Sequence, residues 1–316
     1  MYLYFWGLIA MSKQSFEVLI LGSTAASPSA DRNSSAQLLN IAERHCLIDC
    51  GEATQIQLRK FKAKFQAIDH VFISHLHGDH FFGLPGLLSS MHLLGRKQTL
   101  NIYGPENLKK MMDLLFEVSE TQLNYPLQWI YTNTKGKNLL FKDDKIEVYS
   151  FPLKHRIQCT GFLFKEKNLP RKIDKFLIEK HKLSQADINL LKNGEDVMNA
   201  DGHYIKNADA TIDPPKARTY AYCSDTIFDL SLVQYIKNAD MLYHESTFLN
   251  DMHERATKTF HSTAQQAATI AKAAEVKYLI LGHFSARYRK IEEFLSEAKS
   301  IFDVCELATD GKKIKI

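Results

Sequence analysis

The stretch Ser74-His75-Leu76-His77-Gly78-Asp79-His80 decides the fold that we expect for this chain of 316 residues. It places three histidines and one aspartate within six positions, directly after the apolar run Val71-Phe72-Ile73, which is typical of a buried strand. A polar loop that carried these residues for no metal-related reason would be improbable at such a density. The stretch therefore predicts a cluster of metal ligands on a strand-to-helix turn.

The spacing within this cluster predicts two neighbouring metal positions. Alternate residues of an extended chain share a face, so the side chains of His75 and His77 can point the same way. The turn at Gly78 then directs Asp79 and His80 toward a second position. Imidazole and carboxylate ligands of this kind suit zinc and need no thiolate.

More ligands are required from downstream, and three residues share a suitable placement. His155, Asp225 and His283 each follow just beyond the end of a predicted strand, namely residues 146–151, 219–223 and 278–281. Any one of them alone could be a surface residue. Their shared placement predicts that they converge on one edge of a sheet sandwich.

Hydrolysis is the chemistry that such a site implies. Two zinc ions about 3.5–4 Å apart polarise a phosphoryl or carbonyl oxygen and hold a hydroxide nucleophile between them. Asp79 can orient the attacking water and accept its proton. His261, oriented by a carboxylate such as Glu245, suits the acid that protonates the leaving group, and the alternative is a polar residue that merely precedes a helix.

The rest of the chain alternates short apolar runs with helical patterns. Strands are expected at residues 16–21, 37–41, 46–49, 71–74, 100–103, 146–151, 161–164, 219–223, 241–244 and 278–281. Helical patterns cover residues 54–65, 81–94, 106–116, 263–274 and 289–301, although Pro85 and Gly86 interrupt the first turns of the second. Two strand-rich halves with helices outside indicate a layered α/β sandwich.

Composition restricts the class of protein only loosely. A formal net charge of +4 is too small to argue for a nucleic-acid partner. Five scattered cysteines without CxxC spacing indicate reduced thiols in a cytoplasmic enzyme rather than a disulfide framework or a cysteine zinc site. The apolar run Met1–Ala10 is shorter than the roughly 20 residues of a membrane span, and we expect residues 1–15 to be a disordered extension.

One stretch, between Phe164 and Tyr220, departs from the alternation of strands and helices. Residues 165–182 contain seven lysines and arginines against three acidic residues. A structureless loop of this length inside a compact domain would be unusual, so we expect a discrete insertion with its own turns and a short helix. Taken alone, the charge run is more typical of a solvated helix face than of a binding surface.

Taken together, these residues resemble the ribonuclease Z family of tRNA 3′-processing endonucleases, from about Phe16 to the C-terminus. The histidine-aspartate cluster by itself identifies only the metallo-β-lactamase superfamily. The more specific motifs are Leu21-Gly22-Ser23-Thr24-Ala25-Ala26-Ser27-Pro28 with Arg32-Asn33-Ser34, Ile48-Asp49-Cys50-Gly51-Glu52-Ala53-Thr54-Gln55, the extension Phe81-Phe82-Gly83-Leu84-Pro85-Gly86-Leu87, Pro152-Leu153-Lys154-His155-Arg156, Ser224-Asp225-Thr226, His244-Glu245-Ser246-Thr247-Phe248, His261-Ser262-Thr263 and Gly282-His283-Phe284-Ser285-Ala286-Arg287-Tyr288.

The resemblance implies a metallo-β-lactamase αββα sandwich over residues 16–316 with an inserted protruding arm at residues 166–215. It implies two zinc ions per subunit, one on His75, His77, His155 and Asp225 and the other on Asp79, His80, Asp225 and His283. Asp79 would be the general base and His261 the proton donor. Arg287, Lys172 and Lys175 would bind the substrate, because lysine and arginine neutralise phosphates without reading sequence.

The resemblance also implies the partners. The substrate would be precursor tRNA, cut to leave a 3′-hydroxyl, and the enzyme would be a cytoplasmic homodimer without a membrane segment. In such a dimer the arm of one subunit holds the tRNA that the other subunit cleaves.

Two positions depart from the family pattern. Where a turn rich in glycine and proline is expected in the arm, Ser184 predicts the N-cap of a short amphipathic helix. Ala53 replaces a glycine, and we expect an ordinary backbone conformation there.

Two other functions remain open at this point. The chain could be a hydrolase of the same fold that acts on a small ester, thioester, sulfate or cyclic phosphodiester, although such an enzyme has no use for a basic arm. It could also be a non-catalytic binding protein, which predicts the loss of at least one ligand, yet all seven predicted ligands are present.

Overall fold

The computed structural model describes residues 14–316 and divides them between two compact units. One unit comprises residues 15–166 and 218–316, and the other, which we call the arm unit, comprises residues 167–217. The expected disordered extension at residues 1–15 lies outside the described residues except for Gln14 and Ser15. None of the helices within residues 14–316 combines the length and the apolar content that a membrane span requires.

The strands and helices have the following bounds. The strands are β1 (Phe16–Gly22), β2 (Thr24–Ala25), β3 (Ala36–Ile41), β4 (Arg44–Ile48), β5 (Ile68–Phe72), β6 (Leu100–Gly104), β7 (Leu127–Tyr131), β8 (Asn138–Lys142), β9 (Ile146–Leu153), β10 (Cys159–Glu166), β11 (Lys172–Ile173), β12 (Val197–Met198), β13 (Tyr204–Ile205), β14 (Thr211–Ile212), β15 (Thr219–Cys223), β16 (Met241–Glu245), β17 (Leu279–Gly282), β18 (Phe284–Ser285), β19 (Cys305–Leu307) and β20 (Lys313–Lys315). The α-helices are α1 (Thr54–Lys60), α2 (Gly78–Phe81), α3 (Leu84–Leu93), α4 (Glu106–Val118), α5 (Lys175–Lys180), α6 (Gln185–Lys192), α7 (Asn207–Ala210), α8 (Val233–Ile236), α9 (His253–Thr259), α10 (Ala264–Ala273) and α11 (Glu292–Lys299).

Two seven-stranded sheets form the middle of the larger unit. Their strand orders are β20-β1-β3-β4-β5-β6-β7 and β19-β17-β16-β15-β10-β9-β8. Aromatic side chains of the two sheets pack against each other, as where the ring of Phe72 meets the ring of Phe164 at 5.2 Å between centroids. Helices α1, α3 and α4 contribute to an apolar cluster with the first sheet, and α10 and α11 to one with the second. The predicted αββα sandwich is confirmed.

The arm unit has a small core of its own. Its strands pair as β11 with β14 and as β12 with β13, and the buried side chains include Ile173, Leu191 and Val197. The helix predicted after Ser184 is confirmed as α6, because Ser184 and Asp187 form a capping box at its start.

The chain leaves and re-enters the larger unit at neighbouring positions. The backbone N–H of Glu166, at the end of β10, donates to the carbonyl of Arg218 at 2.9 Å. The Glu166 carboxylate also accepts from the Arg218 guanidinium at 2.6 and 2.8 Å. Glu166 and Arg218, the residues that flank 167–217, are therefore fixed beside each other within the larger unit.

One local prediction was correct only in part, and another was wrong. The helical pattern at residues 81–94 is divided, because α2 ends at Phe81 and α3 begins at Leu84. Pro85 lies in the first turn of α3, where its missing N–H and fixed φ fit a helix start. Ala53 has φ 66°, which is the left-handed conformation and not an ordinary one.

Candidate metal centre

Five of the predicted metal ligands lie in loops that follow a strand of the sandwich, and the other two, Asp79 and His80, lie on the short helix α2. His75 and His77 come after β5, which ends at Phe72, and before α2, so they occupy the strand-to-helix turn that the sequence predicted. His155 follows β9, Asp225 follows β15 and His283 follows β17 directly. This common placement brings the side chains together, as the sequence predicted.

The candidate ligand atoms fall into two groups, and the Asp225 carboxylate lies between them. His75, His77, His155 and Asp225 form the first group, and Asp79, His80 and His283 form the second, with the ligand atoms of each group within 4.8 Å of one another. Asp225 faces both groups. Its Oδ2 lies 3.5 Å from His75 Nε2 and 3.7 Å from His155 Nε2, while its Oδ1 lies 3.1 Å from His283 Nε2 and 3.4 Å from His80 Nε2.

The histidine rings are oriented by contacts on their other nitrogen. Nδ1 of His80 meets Asp49 Oδ2 at 2.8 Å, Nδ1 of His155 meets the carbonyl of Phe260 at 2.9 Å, and Nδ1 of His283 meets Thr247 Oγ1 at 2.9 Å. Each contact leaves Nε2 turned toward the cluster. Rings held in this way are the common arrangement around bound metals in proteins, because the outer partner fixes both tautomer and orientation. The donor set and its orientation fit a pair of zinc ions.

Asp49 is a residue of this centre that the sequence analysis missed. Its carboxylate is fully buried and accepts from the Tyr222 hydroxyl at 2.7 Å and from the Ser74 backbone N–H at 2.8 Å, besides its contact with His80. Asp49 also has φ 54°, an uncommon conformation for an aspartate. The stretch Ile48-Asp49-Cys50-Gly51 held the only sequence signal, and it gave no role for the aspartate.

The pKa shifts of His77 and His155 in the first group are opposite in direction to that of His80 in the second. Burial lowers the pKa of His77 and of His155 to about 4, so both rings are neutral at neutral pH, as metal ligands must be. Burial acts in the same direction on His80, but the Asp79 and Asp225 carboxylates outweigh it and raise the pKa of His80 well above its ordinary value. Without a metal ion, a protonated imidazole thus compensates the buried carboxylates.

His261 and Glu245 form a separate pair beside the ligands. Nδ1 of His261 lies 2.9 Å from Glu245 Oε1 and 4.0 Å from Asp225 Oδ2. The Glu245 carboxylate is buried and also accepts from the backbone N–H groups of Thr226 and Thr247, each at 3.0 Å. Burial opposes protonation of His261, but Glu245 outweighs it and raises the pKa of His261 to about 9.

A cavity of about 590 Å³ opens onto these groups. Asp79, Asp225, His261 and His283 line it, and so do the predicted substrate ligand Arg287 and two arginines that the sequence analysis did not single out, Arg156 and Arg255. The guanidinium group of Arg287 lies 5.3 Å from the centre of the Phe248 ring. Lys172 and Lys175 are exposed residues of the arm unit.

The pairing of His261 with Glu245 predicts that removal of the Glu245 charge lowers the pKa of His261. In metal-free protein, Glu245→Gln removes the largest of the charges that oppose burial, so the pKa of His261 should fall from about 9 toward its ordinary value. Proton NMR titration of the His261 ring measures this value. The raised pKa of the wild type stabilises the fold below pH 6.5, and that contribution is lost as the pH rises through about 9.

The control for this titration is Glu254→Gln, which changes an exposed carboxylate on α9. It should leave the His261 titration where it is. A pKa that stayed near 9 in the Glu245 variant would contradict the assigned cause.

Comparison with known proteins identifies the family. A family model described as Anti-Pycsar protein Apyc1 matches residues 16–169. A ribonuclease Z from Cytophaga hutchinsonii is 47% identical over 303 residues, which cover 95% of this chain and 96% of that protein. A ribonuclease Z from Bacteroides thetaiotaomicron is 42% identical, with 96% of each chain covered.

Two solved structures show the same architecture. The short form of human tRNase Z is 30% identical, with a TM-score of 0.68, and the match covers 94% of this chain and 98% of that one. The metallo-β-lactamase fold protein YhfI from Bacillus subtilis has a TM-score of 0.68 at 19% identity, covering 95% and 99% of the two chains, and so it bears on the fold alone. The chain has the metallo-β-lactamase fold and belongs to the ribonuclease Z family.

Proposed function

We propose that the protein is a zinc-dependent endoribonuclease that removes the 3′ trailer from precursor tRNA and leaves a 3′-hydroxyl on the tRNA. The observation that carries the proposal is the position of Asp225, whose two carboxylate oxygens face two groups of imidazole nitrogens at 3.1–3.7 Å. The relatives named ribonuclease Z and the tRNase Z structure supply the substrate class.

The proposed ligand sets follow from the two groups of side chains. His75, His77, His155 and Asp225 would hold one zinc ion, and Asp79, His80, Asp225 and His283 the other. Bound zinc would supply a Lewis acid for a phosphoryl oxygen and a water acidic enough to react at neutral pH.

The chain's own residues would move the protons. Asp79 lies at the cavity wall with its pKa below the ordinary range, because His80 and His283 outweigh its burial, so it is ionised and able to accept a proton from water. His261 is protonated at neutral pH and can donate to the 3′ oxygen that leaves when the phosphodiester breaks. Arg287, with Arg156 and Arg255, offers positive charge to the phosphates.

The metal assignment predicts that Asp225→Ala weakens both ion sites at once. The variant removes the carboxylate that both groups share, so wild-type protein should retain two zinc ions and the variant fewer than two after dialysis. Native mass spectrometry counts the bound ions. Asp113→Ala, which changes an exposed carboxylate on α4, is the matched control and should retain two. An Asp225 variant that still held two zinc ions would exclude the bridging role.

The arm unit is proposed to bind the tRNA. Residues 167–182 contain six lysines and arginines against two acidic residues. Arg171 pairs with Asp213, and Lys182 lies 3.7 Å from Asp201, but Lys172 and Lys175 form no ion pair among the described residues. Both lysines are exposed and suit contact with phosphates.

Deletion of residues 167–217 tests the arm and separates the two enzyme functions considered above. A short Gly-Ser linker can replace this segment, because Glu166 and Arg218 are already hydrogen bonded to each other. We expect cleavage of precursor tRNA to fall by about 100-fold or more in kcat/KM, since phosphate contacts supply much of the affinity for nucleic acids. Hydrolysis of bis(p-nitrophenyl) phosphate should continue.

The matched variant for the deletion is Lys172→Ala with Lys175→Ala, which keeps the unit and should raise KM for tRNA alone. A full-length, zinc-loaded enzyme that left precursor tRNA uncut would contradict the proposed function. A deletion variant that still processed tRNA normally would exclude the arm from binding.

A homodimer is proposed to form through an exposed apolar stripe on α4. Met111, Leu114, Leu115 and Val118 are 42–77% exposed and follow the spacing of one helix face, while Leu108 and Met112 face the core. A contiguous exposed apolar face of this kind marks an interaction surface.

The five cysteines are free and buried, which suits the cytoplasmic location that we propose.

Leu115→Glu should convert the dimer to a monomer, because it would bury a charge at the centre of the stripe. Sedimentation equilibrium measures the mass. Glu117→Lys changes the charge of α4 outside the stripe and should leave the dimer intact. A Leu115 variant that stayed dimeric would exclude this face.

A further inference from the structure

The side chain of Phe82 is an aromatic ring at the cavity that the proposed chemistry does not use. Phe82 is 63% exposed and lines the cavity together with His77 and Asp79. Scattered exposed apolar residues are normal on protein surfaces. The Phe82 ring differs from these because it stands on the wall of the cavity, three positions after Asp79.

The Phe82 ring is supported from below. A Cβ atom added to Gly78 would lie 2.2 Å from Cε2 of Phe82, so the ring rests directly on the glycine backbone. The buried Phe81 ring meets it at 4.9 Å between centroids, with 64° between the planes. The Phe82 N–H also donates to the carbonyl of Gly78 at 3.0 Å, which fixes the backbone from which the side chain leaves.

A ring that is held on one side and exposed at a cavity presents a flat apolar surface to a ligand. The arginines, carboxylates and imidazoles at this cavity suit the phosphate and the reacting water, and Phe248, the other phenylalanine of the lining, is buried. Single-stranded nucleic acids are bound through bases that stack on aromatic side chains, since every base has an aromatic face.

We infer that Phe82 is a stacking platform for the base of one of the two nucleotides that flank the cleaved phosphodiester. The inference rests on the proposed function and deepens it, because it assigns a contact to single-stranded RNA beside the metal centre. Stacking of the base would hold the phosphate in register with Asp79 and His261, and it would favour no particular base.

The test combines a change in the ring with removal of the base. Phe82→Leu should lower kcat/KM for precursor tRNA about 10-fold, mainly through KM, and Phe82→Trp should restore it. Precursors are then prepared with an abasic ribose on either side of the cut. On one of these two abasic precursors, kcat/KM of the wild type should fall by about 10-fold. On that same precursor, kcat/KM of Phe82→Leu should lie within about 2-fold of the wild type, because the ring and the base form the same contact.

Tyr131→Leu is the matched control, since Tyr131 is 50% exposed in the same unit and does not line the cavity. It should cut every precursor like the wild type, and zinc content and melting temperature should match in all variants.

The outcomes of these assays separate the stacking role of Phe82 from the proposed function. A Phe82→Leu enzyme as active as the wild type would overturn the inference, and so would an equal loss on the intact and both abasic precursors. Either result leaves the proposed function standing if the wild type cuts precursor tRNA. A wild type that leaves it uncut contradicts the proposed function and this inference together.

Discussion

The buried carboxylate of Asp225 is the constraint on which one end of the sandwich depends. Burial removes the water that would otherwise stabilise its charge, so opposite charges and hydrogen-bond donors must surround it. The surrounding groups are four imidazoles at 3.1–3.7 Å from its two oxygens, two from the segment after β5 and one each from the loops after β9 and β17. Asp225 follows β15, the middle strand of its sheet, so this charge stands on a rigid part of the fold.

Hydrogen-bond partners on the outer nitrogens of the histidines fix the orientation of the rings. Asp49 and Thr247 hold the outer nitrogens of His80 and His283, and both Asp49 and His283 have positive φ, at 54° and 59°. Such a conformation costs roughly 1–3 kcal/mol at a residue other than glycine, and it persists only where the surroundings fix it. At these two positions the strained backbone carries a side chain that reaches the cluster.

The sequence predicted that these side chains come together because the decisive signals are local. The density of histidine within residues 75–80, and the positions of His155, Asp225 and His283 after apolar runs, need no tertiary information. Asp49 and Thr247 were missed as orienting groups because their partners are distant in the sequence. Ala53 was misjudged for a related reason, since the local pattern does not reveal a left-handed φ. The strands β7 and β8 were not predicted because their residues are only partly buried and lack a clean alternation.

Glu166 and Arg218 mark the junction at which residues 167–217 leave and rejoin the sandwich. The two residues bond to each other through backbone and side chains, so the sandwich closes its own sheet at that point without any contribution from residues 167–217. The arm unit in turn has a separate core and a capped helix. Changes in either part therefore do not have to be compensated in the other. The candidate metal ligands all belong to the sandwich, so the tRNA contacts that we propose for the arm unit can vary while the arrangement of these ligands stays the same.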